Sequence, residues 1–140
     1  MKIENHIALN GKAKEAVEMY CSIFGTKPAM LMTYENMPQK PYPNMPENWK
    51  EWIMIAKVNI AGTDFMFSDC TGLTDDFKAG NNVALSIEVK TEAEAKALYE
   101  KLSAGGKIAL PLGKTFFNPC YALFTDKYGI VWHIGVEVAY

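Results

Sequence analysis

The chain has 140 residues, 14 of them basic and 16 acidic, giving a formal net charge of −2, and 49% of its residues are hydrophobic. That length fits one domain or two small half-domains, and the apolar share supports a core, which excludes global disorder. Every basic residue is lysine. With no arginine fork and no basic excess, oligophosphate clamping and base readout are disfavoured, and no nucleic-acid partner is expected.

In chain order, Asn5-His6-Ile7-Ala8-Leu9 reads as a short strand, followed by a helix with Ala13, Ala16, Val17 and Tyr20 at i, i+3, i+4, i+7 spacing. Gly25 stands where a helix C-cap belongs. Strands are predicted at Ala29–Tyr34, Trp52–Ile60 and Phe65–Ser68, the last two joined by the turn Ala61-Gly62-Thr63-Asp64. Between the first two lies Met37–Lys50, with four of the seven prolines. Trp49 and Trp52 offer it an apolar anchor, and it is expected to fold over one end of a site or across a dimer seam. A polar link, Thr71–Gly80, carrying Asp75 and Asp76, separates the halves.

The second half echoes the first. Asn81-Asn82-Val83-Ala84-Leu85 precedes a helix with Ala95, Leu98, Tyr99 and Leu102 on one face, and Thr91 with Glu94 has capping-box spacing. Strands follow at Ile108–Leu110, Tyr121–Thr125 and Ile130–Val138, the last two linked by Asp126-Lys127-Tyr128-Gly129. The expected class is α+β: two β-α-β-β-β modules, about 1–70 and 80–140 of a single domain, whose curled mixed sheets form a cup with helices outside. Open sheet edges on such modules suit a homodimer.

The start of the chain becomes polar too soon for a secretory signal, and no apolar run approaches the ~20 residues that cross a bilayer. Cys21, Cys70 and Cys120 are odd in number and far apart, as in reduced thiols rather than a disulfide framework. A cytoplasmic protein without a membrane partner is expected.

His6-Ile7-Ala8-Leu9, the tyrosine-ended first helix before Ile23-Phe24-Gly25, and Thr125-Asp126-Lys127-Tyr128-Gly129 together resemble the vicinal oxygen chelate superfamily of glyoxalases, bleomycin-resistance proteins and dioxygenases. Gly113-Lys114-Thr115-Phe116-Phe117 and Gly80-Asn81-Asn82-Val83-Ala84-Leu85-Ser86 are similar to its PhnB-like branch, nearly end to end. The resemblance implies paired modules, a cup-shaped small-molecule site and a homodimer. In metal-dependent members it also implies one divalent ion held by the first and last strands of each module. It does not imply one reaction, since a fold alone assigns none. A methyltransferase reading is rejected, because no glycine-rich β-α nucleotide loop is present.

Strand alternation selects the residues facing the cup. Ile7 and Leu9 go beneath the helix, leaving His6 and Ala8 inward. Phe65 and Phe67 pack outward, leaving Met66 and Ser68. Val83, Leu85 and Ile87 pack outward, leaving Asn82, Ala84 and Ser86. Trp132, Ile134 and Val136 pack outward, leaving His133, Gly135 and Glu137. By resemblance, the ligand positions are His6, Met66, Asn82 and His133. Asparagine suits divalent zinc, iron or nickel poorly and a thioether prefers copper(I), so the ligand set for a divalent metal is incomplete unless Glu137 or a substrate adds oxygens.

His133 and His6, the chain's two histidines, are the candidate catalytic acid–base pair. Met66, Asn82, Ser68, Glu137, Trp52 and Phe116 are the candidate ligand-binding residues. Trp52 and Phe117 also read as hairpin core, and Cys120 reads as a buried thiol rather than a nucleophile. The expected function is small-molecule acid–base or metal-assisted chemistry. The alternative is sequestration of a small compound without chemistry.

Overall fold

The computed structural model describes residues 1–69 and 77–139. The chain divides into two compact units, Met1–Lys78 and Ala79–Tyr140. Asp75, Asp76 and Cys70 lie outside the described residues. The class is α+β, and each unit is a β-α-β-β-β module.

In the first unit, β1 (Asn5–Leu9), α1 (Ala13–Phe24), β2 (Pro28–Thr33), β3 (Ile53–Ile60) and β4 (Thr63–Asp69) build a sheet ordered β1-β4-β3-β2. The β1–β4 pair is parallel, and the other pairs are antiparallel. Helix α1 buries Ala13, Ala16, Val17, Tyr20 and Cys21, the stripe its periodicity specifies. Those residues meet the buried sheet face, where Phe65, Phe67, Ala56 and Val58 lie. Tyr20 stacks on Phe67 with ring centroids 5.7 Å apart. Gly25 ends the helix in the left-handed conformation, its N–H donating to the Cys21 carbonyl. The β3–β4 turn is only Ala61-Gly62, both at positive φ, as a two-residue hairpin requires. Thr63 and Asp64, expected in that turn, are already paired in β4.

The N-terminus of α1 lacks a capping side chain of its own, because Lys12 occupies the N-cap. Asp69, at the end of β4, serves instead. Its Oδ1 accepts from the Gly11 and Ala13 N–H groups at 2.8 and 3.1 Å, and its Oδ2 accepts from Ile53 N–H at 2.9 Å. One buried carboxylate thus ties the helix start, β3 and β4 together.

The Met37–Lys50 excursion forms its own small core. Tyr34, Met45 and Trp49 are buried there, with Met37, Tyr42, Trp52 and Met54 packed around them. The Tyr34 hydroxyl donates to the Asp69 carbonyl at 3.0 Å, anchoring this cluster to β4. A 3-10 turn at Trp49–Glu51 leads into β3.

In the second unit, β5 (Ala84–Val89), α2 (Glu92–Ser103), β6 (Lys107–Gly113), β7 (Tyr121–Thr125) and β8 (Val131–Val136) repeat the order as β5-β8-β7-β6. Thr91 Oγ1 accepts from Glu94 N–H at 3.2 Å, as the capping spacing anticipates. The Glu94 carboxylate reaches Lys90 N–H at 3.4 Å, one residue before the N-cap. Leu102, Phe124, Trp132 and Ile134 form the core under α2. Asp126 is also buried, and its Oδ1 accepts from Tyr128 and Ile130 N–H while its Oδ2 accepts from Trp132 Nε1 at 2.8 Å. The acidic residue of the Thr125–Gly129 turn therefore fastens that turn to the core tryptophan.

Candidate functional site

Each sheet has one face covered by its helix and one helix-free face. On β8, Trp132 and Ile134 pack toward α2, and alternation puts His133 and Gly135 on the helix-free face. On β7, Ala122 and Phe124 are buried, so Tyr121 and Leu123 share that face. Leu123 is opposite His133, and Tyr121 is opposite Gly135. A tyrosine beside a glycine can lean diagonally across the vacant position. An added Cβ at Gly135 would lie 3.5 Å from Tyr121 Cδ2 and 3.0 Å from Asn118 Nδ2. Tyr121 leans that way, and its hydroxyl is hydrogen-bonded to His133 Nδ1. The contact holds the ring in either tautomer: with the phenol donating, Nε2 carries the proton, and with Nδ1–H donating to the phenol oxygen, Nε2 carries the lone pair and faces another partner.

Two further rings continue from this pair. The Tyr121 and His133 centroids are 5.8 Å apart, Phe117 meets Tyr121 edge-on at 4.8 Å, and Phe116 meets Phe117 at 5.1 Å. Phe117 is 51% exposed and Phe116 is fully exposed. This corrects the hairpin-core expectation for Phe117: its turn runs along the helix-free side and reaches no core. No sequence motif marks Tyr121; a glycine two residues after His133 is the available signal for a ring crossing overhead.

On the first unit's helix-free face, His6 Nε2 lies 2.8 Å from Ser68 Oγ. His6 pairs with the half-buried Met66 across β1–β4, and Met66 is opposite Lys57 on β3. Trp52 is not on this face. Its indole lies against Gly11, where an added Cβ would approach Cζ2 to 2.9 Å. There it lines a cavity of about 580 Å³ beside the first turns of α1, with Leu31, Lys14, Glu15 and Glu51.

Register corrects the equivalence between the halves. His6 pairs with Met66 three residues before the end of β1, and Ser86 pairs with His133 three residues before the end of β5. Ser86 is therefore the counterpart of His6. Asn82, matched by the Asn-x-x-Ala-Leu echo, lies four residues earlier in an exposed bend outside β5. Val83, expected beneath the helix, is 77% exposed for the same reason. Glu137 lies past β8, its side chain exposed and its N–H donating to the Val89 carbonyl at 2.7 Å. The carboxylate on the helix-free face is instead Glu88, opposite Gly135.

The donor sets do not fit the divalent ion of metal-dependent superfamily members. The corresponding strand positions offer an imidazole with a thioether in the first unit, and an imidazole with a hydroxyl in the second. Among the described residues no group of three or more His, Cys, Asp or Glu side chains is placed to hold a metal ion. Cys21 and Cys120 are buried free thiols, and burial pushes both up from the ordinary thiol range, against nucleophilic use. No helix among the described residues is long and apolar enough to cross a membrane.

The Tyr121–His133 contact leads to a spectroscopic prediction. In Tyr121→Phe the imidazole loses its Nδ1 partner, so the ¹⁵N shifts of His133 should move from one hydrogen-bonded tautomer toward a mixture, with His6 unchanged. Identical His133 nitrogen shifts in both proteins would show that Tyr121 does not set the tautomer.

Comparison with known proteins places this arrangement. The chain is similar to a Bacillus cereus protein named putative 3-demethylubiquinone-9 3-methyltransferase, PhnB protein, at 27% identity and a TM-score of 0.82, with 98% of this chain and 100% of that one covered. It is 26% identical to Protein YjdN of Escherichia coli (strain K12), over 97% of this chain and 95% of that one. It shares its fold with a glyoxalase-related enzyme from Fulvimarina pelagi, at 17% identity and a TM-score of 0.62, covering 98% and 89% of the two chains. A family described as 3-demethylubiquinone-9 3-methyltransferase matches residues 1–135. The chain belongs to that family, the PhnB-like branch of the vicinal oxygen chelate superfamily.

Proposed function

We propose that this protein binds a small molecule on the helix-free face of its second sheet and moves a proton to or from it at His133. The observation that carries this reading is the Tyr121 hydroxyl on His133 Nδ1. That contact fixes the ring and leaves Nε2 for a ligand; with Nδ1–H donating to the phenol oxygen, Nε2 carries the lone pair that takes the ligand's proton, and the imidazolium so formed gives it back. Imidazole is the side chain best suited to proton exchange near neutral pH. Ser86 and Glu88, beside His133 and Gly135 by register, supply a hydroxyl and a carboxylate for orienting polar groups. The methyl transfer named in the family's description plays no part in this reading, which rests on a pair suited to moving protons. A cytoplasmic homodimer is the setting we propose for it.

The test starts from NMR. With two histidines in the chain, a library of small aromatic and oxygenated acids can be screened for compounds that shift the His133 imidazole signals. Compounds that bind should exchange a carbon-bound proton for deuterium in D₂O. His133→Gln should still bind them but lose the exchange at least about 100-fold, the usual scale of acid–base catalysis. Binding with no exchange in the native protein would leave sequestration as the function, and a library without effect on His133 would remove the site.

A further inference from the structure

We infer that the rings Phe116, Phe117 and Tyr121 form a subsite for a flat aromatic or conjugated ligand group, leading directly to His133. The inference rests on the proton-transfer reading for its location and adds the class of molecule.

The first observation is that a closed set of hydrogen bonds holds the segment carrying the rings. Thr115 Oγ1 accepts from the Phe117 and Asn118 N–H groups at 3.3 and 3.0 Å, and Thr115 N–H donates to the Asn118 carbonyl at 2.9 Å. Asn118 then fastens the turn to β8. Its Nδ2 donates to the Val136 carbonyl at 2.9 Å, and its Oδ1 accepts from Cys120 and Val136 N–H at 2.9 and 3.2 Å. Such a turn fixes the backbone from which the rings project, which lowers the ordering cost of binding.

The second observation is the ring geometry. Successive rings meet at 84° and 75° with centroids 5.1 and 4.8 Å apart, within the edge-to-face range of aromatic pairs. A flat group laid against Phe117 meets a ring face and a neighbouring ring edge together. A saturated group of equal size gains the apolar contact but not that electrostatic match. The third observation is exposure. A lone exposed phenylalanine is ordinary, but here two adjoining exposed rings run unbroken into a hydrogen-bonded Tyr–His pair.

Two probes of equal charge and similar outline separate flatness from general apolarity: 2-naphthoate and its saturated analogue, decahydro-2-naphthoate. Calorimetric titration of the full-length protein should give 2-naphthoate an affinity about three- to tenfold higher, the scale of one or two aromatic pair contacts. Phe117→Leu, which keeps the apolar bulk, should remove most of that preference, and Phe116→Ala part of it. His133→Gln should leave the preference intact while proton exchange is lost, so failure of the subsite and failure of the chemistry read out separately. Equal affinity for the two probes, no binding of 2-naphthoate, or an undiminished preference in Phe117→Leu would overturn the inference. It would also fall if Phe116→Ala converted a dimer to monomer in sedimentation with 2-naphthoate affinity unchanged, which would assign the rings to contact between copies.

Discussion

Replacing Asp69 with alanine should destabilise the protein by about 3–5 kcal/mol, since it strands three backbone donors at about 1–3 kcal/mol each with partial relief by relaxation. Those donors are the N–H groups of Gly11, Ala13 and Ile53, and the carboxylate receiving them is 1% exposed, so water does not readily replace it. The same residue makes stability depend on pH. Burial pushes the Asp69 carboxyl above its ordinary value of 3.8, against the pull of the backbone N–H groups around it. The folded state therefore holds this proton more tightly than the unfolded chain does. The resulting stability is full below pH 3.8 and is lost as pH rises through the folded value. Asp69→Asn cannot titrate, so the stability difference between native and Asn proteins should shrink with rising pH over that window. Urea unfolding at a series of pH values checks both statements. A loss under about 1 kcal/mol in Asp69→Ala would mean the three donors find other partners.

Gly106→Ala should cost at least about 3 kcal/mol, the upper range for forced overpacking. An added Cβ would lie 2.1 Å from the Thr125 carbonyl oxygen and about 3 Å from Asp126 Cα, and both are backbone atoms that no rotamer change can move. Relief requires separating β6 from β7 where Lys107 pairs with Thr125, and disturbing the Asp126 that holds Trp132. Its neighbour is the control. Gly105 is at φ +75 but has only Lys127 side-chain atoms 3.5 Å away, so Gly105→Ala should cost about 1–2 kcal/mol through backbone strain alone. Paired unfolding curves, with the Trp132 indole N–H signal as a local reporter, distinguish the two. Equal losses would rule out the steric account.

Local pattern determined a great deal about this protein. The apolar stripes at Ala13–Tyr20 and Ala95–Leu102, with Gly25 and Thr91 at their ends, specify both helices, because helical spacing and caps are properties of neighbouring residues. Alternation on β8 likewise oriented His133, since Trp132 and Ile134 flank it and both must be buried.

What local pattern did not determine was register between strands distant in sequence. The echo of Asn5-His6-Ile7-Ala8-Leu9 in Asn81-Asn82-Val83-Ala84-Leu85 suggested Asn82 as a partner of the site. Pairing of β5 with β8 selects Ser86, four residues on. A four-residue slip keeps the alternation in phase, so sequence periodicity cannot detect it; the hydrogen-bonded ladder can. The same holds for the groups that complete the site. Tyr121 meets His133 because Gly135 leaves room across a strand pair, and Asp69 caps α1 from 56 residues away in the chain. Phe117 lies outside the core because Asn118 bonds its turn to β8. Each is a contact between residues far apart in sequence, and only the closed backbone hydrogen-bond network of the tertiary structure decides which residues those are.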